Sequence, residues 1–252
     1  MRGRYPAASG LSYAFGPGGI TPAVKALIIA NIVVFVLGWF TPAVQEWLGM
    51  RPSSVVGRGE LWRTATYMFV HSRMGFGHIL FNMLALWMFG VELERMWGTR
   101  YFLKFYFVCG IGAALTTLVL SFMPLAIFST LYPTLTIGAS GAIFGILLAY
   151  ALYFPHRPIL VMMMFPVPAR YFVMIMGGIS LLMSISSTTG GGVAHTTHLG
   201  GLAAGYFYLK RPRINLAAEI QYRFVKWRIN RMRKKFDVHT GGRADDFNRR
   251  VH

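Results

Sequence analysis

Six stretches of the chain are apolar over nearly the length that crosses a lipid bilayer, with short polar or Gly/Pro-bearing segments between them. A spanning helix needs about 20 apolar residues, fewer where the bilayer is thin or neighbours shelter it. The stretches run from about Val24 to Phe40, His78 to Met96, Tyr101 to Phe122, Ala139 to Phe154, Ala169 to Ser186 and His198 to Leu209. Thr21 and Pro22 open the first as N-cap and first helical residue. Thr41-Pro42 follows it without a small-x-small cleavage site, which argues against a removed signal segment. Pro155 ends the fourth. The pattern predicts an all-α polytopic membrane protein, a bundle of six transmembrane helices over residues 21–210. A Pro/Gly-rich arm (residues 1–20) precedes it and a tail (residues 211–252) follows, with disorder expected in the arm and from about Gly241.

Composition excludes a soluble domain: 55% of residues are apolar and 13% charged, against about a quarter charged in soluble chains. Charge then orients the bundle. Six spans place both termini on one side, together with Lys25, the segment Glu92 to Lys104, the segment His156 to Arg170 and the tail. Those segments hold most of the Lys/Arg, whereas the third and fifth connections carry no charge. The positive-inside rule therefore puts both termini in the cytoplasm. The first connection, about 37 residues long, is an exception that carries Arg51, Arg58, Arg63 and Arg73. Its Trp47, Trp62 and Tyr67 predict a segment lying in the interface. From Lys210 onward, 13 Lys/Arg against 4 Asp/Glu leave a net +9. Beside a membrane helix this basic tail is expected to meet anionic lipid, with no nucleic acid expected as a partner. Tyr222 to Phe236 reads as a basic amphipathic helix carrying Phe224, Val225, Trp227 and Met232. The lone Cys109 excludes an internal disulfide and thiolate metal clusters, and reads as a small buried hydrophobe.

Candidate chemistry comes from helix parity. The second, fourth and sixth helices start at the same face, with His78 and Asn82 opening one, Ser140 another and His198 the third. Polar groups at that depth usually face the bundle or a water-filled cavity. Gly141, Gly145 and Ala149 form a small-residue stripe on the fourth helix, and Gly201 and Gly205 form one on the sixth. Such stripes let membrane helices touch, which brings Ser140 toward His198 as nucleophile and base. His78 and Asn82, four residues apart, share a face. With the free N–H of Ser140 they could hold an oxyanion. Packing glue remains the alternative for Asn82.

Gly138-Ala139-Ser140-Gly141, His78-Ile79-Leu80-Phe81-Asn82, and His198 followed by Gly201 and Gly205 resemble the signature motifs of rhomboid intramembrane serine proteases. Trp62-Arg63 is similar to that family's Trp-Arg pair, and Glu94 with Gly98 to its Glu-x-x-x-Gly pattern. The resemblance covers about Thr21 to Leu209. It implies a six-helix core with a cavity opening outward and a Ser140–His198 dyad with no third carboxylate. It further implies an oxyanion site from Asn82, His78 and the Ser140 amide, with Phe144 as the ring against His198 where the family usually has Tyr. The implied activity is a serine endopeptidase, cofactor- and metal-free, that cuts single-span transmembrane proteins near the outer face of a bacterial inner membrane. Thr197 stands where the family often has Ala. His195, three residues before His198, is expected in an outer cap loop hinged at Gly190-Gly191-Gly192, with the fifth helix as a side gate.

Other classes fit less well. Ala142 breaks the Gly-x-Ser-x-Gly elbow, and His-Glu-x-x-His is absent. All three Asp lie in the tail, which removes an aspartyl protease. A non-catalytic relative that captures membrane helices, and a metal transporter using His195-x-x-His198, remain as alternatives.

Overall fold

Each of the six apolar stretches is helical. In the computed structural model, which describes residues 17–125, 128–161, 164–186, 192–210 and 216–233, α1 spans Pro22–Phe40. Pro22 takes the first helical position as expected, but Thr21 does not cap the helix through its own side chain. Its hydroxyl donates to Glu94 at 2.5 Å, and the Glu94 carboxylate accepts from the amides of Ala23 (2.9 Å) and Val24 (3.0 Å). A carboxylate from another helix thus satisfies donors that α1 leaves open and sits at the positive end of its dipole. Arg95 donates to the carbonyls of Pro17 and Gly19, so the last residues of the N-terminal arm are tied down rather than disordered.

The first connection folds into three short helices, α2 (Ala43–Leu48), α3 (Pro52–Arg58) and α4 (Arg63–Thr66). The second stretch is one rod: α5 (Gly77–Ala85), a wider turn over Leu86–Gly90, then α6 (Val91–Trp97). It stops at Gly98, whose φ of +79° suits glycine. Thr99 opens α7 (Thr99–Leu120) and donates its hydroxyl to Glu94 at 2.7 Å. Glu94 therefore joins α1, α6 and α7 at one point.

After α8 (Ser140–Tyr153) a short pair of strands interrupts a chain that is otherwise mostly helical, as expected. The fourth connection is an antiparallel hairpin of β1 (Pro158–Val161) and β2 (Phe165–Pro168). Prolines argue against strands in a sequence, yet they are admitted where no ladder hydrogen bond is required. Helix α9 (Ala169–Ser186) and α10 (Gly192–Lys210) complete the first unit, which ends at Lys210. The second unit, Arg211–His252, contains α11 (Leu216–Arg233), where Phe224, Val225 and Trp227 are exposed and Arg231 lies 5.3 Å over the Trp227 ring.

Helices α1 and α7 are long and apolar enough to cross a membrane by length and composition, and α8 and α9 are apolar but shorter. Between membrane helices lipid offers no hydrophobic drive, so close packing of small residues carries the association. That packing centres on α7, α8 and α10. A Cβ at Gly201 would lie 2.7 Å from the Gly141 carbonyl carbon, and one at Gly205 3.2 Å from the Gly145 Cα. The two backbones are in direct contact. Cys109 of α7, buried and free, fills the space beside Gly145.

Candidate active site

The contact between α8 and α10 sets the first distance that matters. Ser140 is the first residue of α8, and His198 lies on α10, three residues before Gly201. Their side chains meet with Ser140 Oγ 2.8 Å from His198 Nε2. Phe144, one turn after the serine, stacks on the His198 ring with centroids 4.2 Å apart and planes 7° from parallel. The imidazole is thus gripped on a flat face and aimed by the serine. The four acids of the first unit are committed elsewhere: Glu46 to Arg51 (2.9 Å), Glu60 to Arg63 (2.5 Å), Glu92 to Arg157, and Glu94 to α1. Among the described residues no carboxylate bonds to the His198 ring.

The start of α5 faces the same place. His78 Nδ1 accepts the Ser72 backbone N–H at 3.3 Å, which leaves Nε2 of the neutral ring to carry the hydrogen. That Nε2 lies against Gly138, where a Cβ would come within 2.8 Å of it and 3.7 Å of Ser140 Oγ. Gly138 has φ +117°, so it supplies both the bend into α8 and the room for the histidine. Asn82 is buried and gives one amide hydrogen to the His78 carbonyl at 2.6 Å. Its second hydrogen remains for another acceptor. Ser140, His198, His78 and Asn82 all line one open cavity of about 500 Å³, with Ser72, Phe81, Thr136 and Ile137 among its other walls.

A chain of backbone contacts holds the serine segment. Gly138 N–H donates to the Tyr67 carbonyl (3.0 Å), and Thr136 exchanges two hydrogen bonds with Met50 (2.7 and 2.9 Å). Met50 follows Gly49, whose carbonyl accepts from Arg63 at 2.7 Å; Arg63 also donates to the Glu46 carbonyl and is itself buried. Trp62 donates to the Trp47 carbonyl at 3.2 Å. Trp62-Arg63 therefore lies outside the cavity and braces the loop on which the approach to Ser140 rests.

Two expectations change. His195 lies on α10, in its first turn and not in a loop, with its ring 5.7 Å from that of His198. The sixth helix starts about two turns earlier than hydropathy indicates, because Thr196 and Thr197 bury their hydroxyls within the bundle; Thr197 meets Thr117 at 2.9 Å. Of the expected glycine hinge, Gly190 and Gly191 lie outside the described residues and Gly192 opens α10. The sequence also gave no sign of His71. It is buried, and its ring lies 5.0 Å from that of His78. Burial, with His78 beside it, lowers its pKa to about 4.

Comparison with known proteins identifies the family. Residues 58–211 match the Rhomboid domain. The chain is 32% identical over 189 residues to Rhomboid protein 1, mitochondrial, of Saccharomyces cerevisiae, covering 73% of this chain and 51% of that protein. It is 33% identical over 161 residues to rhomboid protease GluP of Bacillus subtilis, covering 63% and 27% respectively. It is 33% identical over 158 residues to rhomboid protease AarA of Providencia stuartii, covering 58% and 54%. The chain thus spans from about a quarter to about half of these relatives' lengths. On the domain match, which covers more than half of its length, the chain belongs to the rhomboid family of integral membrane proteins.

Proposed function

We propose that the protein is an intramembrane serine endopeptidase working through a Ser140–His198 dyad. The observation that carries this reading is the 2.8 Å contact of Ser140 Oγ with His198 Nε2 at the wall of an open cavity. Ser140 Oγ attacks the scissile carbonyl carbon as His198 takes its proton, and the tetrahedral oxyanion is met by His78 Nε2–H, the Asn82 amide and the Ser140 N–H. Collapse breaks the C–N bond, and His198 returns the proton to the leaving amine. Water, deprotonated by His198, then hydrolyses the acyl-enzyme and frees Ser140.

In this reading six helices cross the bilayer with both termini cytoplasmic, in a bacterial inner membrane, and the cavity opens outward. Substrates are single-span membrane proteins whose helix yields an extended segment near the outer face, since a regular helix hides its carbonyls. Helix α9 is the side gate, and the tail with α11 rests on anionic lipid. Purified protein incubated with a single-span test substrate should yield two fragments, and Ser140→Ala none. Cleavage by Ser140→Ala above background would remove the serine from the mechanism, and no cleavage by the wild type would favour a non-catalytic helix binder.

A further inference from the structure

From Pro158 to Pro168 the chain has eleven residues and no charged or hydrogen-bonding side chain. This segment forms the β1–β2 hairpin, lies outside the helices, and exposes Met164 (71%) and Phe165 (59%). Water is a poor solvent for such a surface. Its backbone chemistry points the same way. Strand pairing sets Pro158 opposite Pro168, Ile159 opposite Val167, Leu160 opposite Pro166 and Val161 opposite Phe165. Ala169 N–H donates to the Arg157 carbonyl at 2.9 Å, and in an antiparallel ladder bonded and non-bonded pairs alternate. Ile159/Val167 and Val161/Phe165 therefore bond inward, whereas Pro158/Pro168 and Leu160/Pro166 turn their backbone groups outward. Proline fills three of those four outward positions and has no N–H to leave unpaired. In hydrocarbon each unpaired N–H costs several kcal/mol, so Leu160 alone carries an outward donor among these paired residues.

Charge lies at the base of the hairpin and not along it. Arg157 pairs with Glu92 and lies 4.8 Å over the Phe154 ring; Arg170 lies 4.5 Å over the ring of Tyr171. Arginine and tyrosine at helix ends mark the membrane–water boundary. The apolar surface continues along α9 through the exposed Met174 and Ile175. We propose that the β1–β2 hairpin is a lipid anchor, embedded in the bilayer interface beside the ends of α8 and α9, its outward edges nearly stripped of N–H donors by proline and its outward carbonyls left to interfacial water. The anchor is rigidly joined to α9, because Ala169 and Arg170 donate their amides to the carbonyls of Arg157 and Pro155 (2.9 and 3.2 Å). It therefore fixes the depth of the first turn of α9. The inference rests on family membership in the membrane and is independent of the proteolytic reading.

The test is depth. Met164→Cys and, separately, Phe165→Cys are labelled with bimane in the full-length protein; the native Cys109 is fully buried and does not compete for label. The labelled protein is reconstituted in phosphatidylcholine–phosphatidylglycerol vesicles, with and without brominated acyl chains. A lipid anchor predicts a roughly twofold loss of emission in brominated vesicles and little quenching by iodide. Quenching by iodide comparable to that of free bimane–cysteine would overturn the proposal. Protection from both quenchers would overturn it too, and would assign the surface to a second copy or another protein.

Discussion

Gly201→Ala probes the contact on which the site depends. The added Cβ would lie 2.7 Å from the Gly141 carbonyl carbon, and carbon–carbon contacts settle at about 3.5–4.0 Å. The obstacle is backbone, with the Gly141 carbonyl oxygen nearer still, so no side chain can swing aside and α8 and α10 must part by at least about 1 Å. His198 sits one turn before Gly201 and Ser140 next to Gly141. The 2.8 Å Oγ–Nε2 contact would therefore open past hydrogen-bonding range. A displacement of about 1 Å at reacting groups costs on the order of 10² in rate, and overpacking costs about 1–3 kcal/mol in stability. Gly178→Ala is the matched control: it is also helical, nothing lies within 4 Å of its added Cβ, and helix propensity favours alanine by up to about 1 kcal/mol. The assay is single-turnover cleavage of a membrane-embedded substrate in proteoliposomes, beside thermal unfolding. Gly201→Ala should fall about 10²-fold and melt earlier, while Gly178→Ala keeps wild-type rate. A Gly201→Ala enzyme with at least half of wild-type activity would refute the argument that backbone contact sets the dyad.

Asn82→Ala and His78→Ala should each slow cleavage about 10²–10³-fold, measured as kcat on the same substrate; a wild-type rate in Asn82→Ala would reduce that residue to a brace for the His78 carbonyl. Phe144→Ala should cost more activity than Phe144→Tyr, which keeps the ring stacked on His198, and equal rates would show that stacking is irrelevant. His71, held neutral with its pKa lowered from 6.5 to about 4, favours the folded state fully above pH 6.5 and loses that contribution as pH falls toward 4. The loss is about 3 kcal/mol, so wild-type melting temperature should drop over that window more than in His71→Phe. Identical pH curves for the two would exclude the titration of His71.

The sequence carried the helices and the meeting of Ser140 with His198 because both follow from local patterns. Hydropathy marks helix bodies, parity puts their starts on one side, and small residues every fourth position mark faces that touch. Long-range features were less legible. The capping of α1 by Glu94 joins residues some seventy positions apart, and no local rule exposes it. The hairpin was hidden because its prolines break a strand pattern, and only strand pairing reveals that they occupy positions free of ladder bonds. The start of α10 was missed because hydropathy reads His195-Thr196-Thr197 as loop, whereas their polar groups lie within the helix bundle. The role of Arg63 needed the structure as well, since beside Glu60 its partners are the backbone carbonyls of Glu46 and Gly49, which a sequence does not distinguish.

Labelling of the nucleophile tests the central claim most directly. The purified protein is treated with a fluorophosphonate, digested and mapped by mass spectrometry. The account predicts one phosphonate adduct, on the hydroxyl of Ser140, abolished in Ser140→Ala and at most faint in His198→Ala, whose base is gone. Wild-type labelling of Ser140 in His198→Ala, or an adduct on another residue that persists in Ser140→Ala, would contradict it.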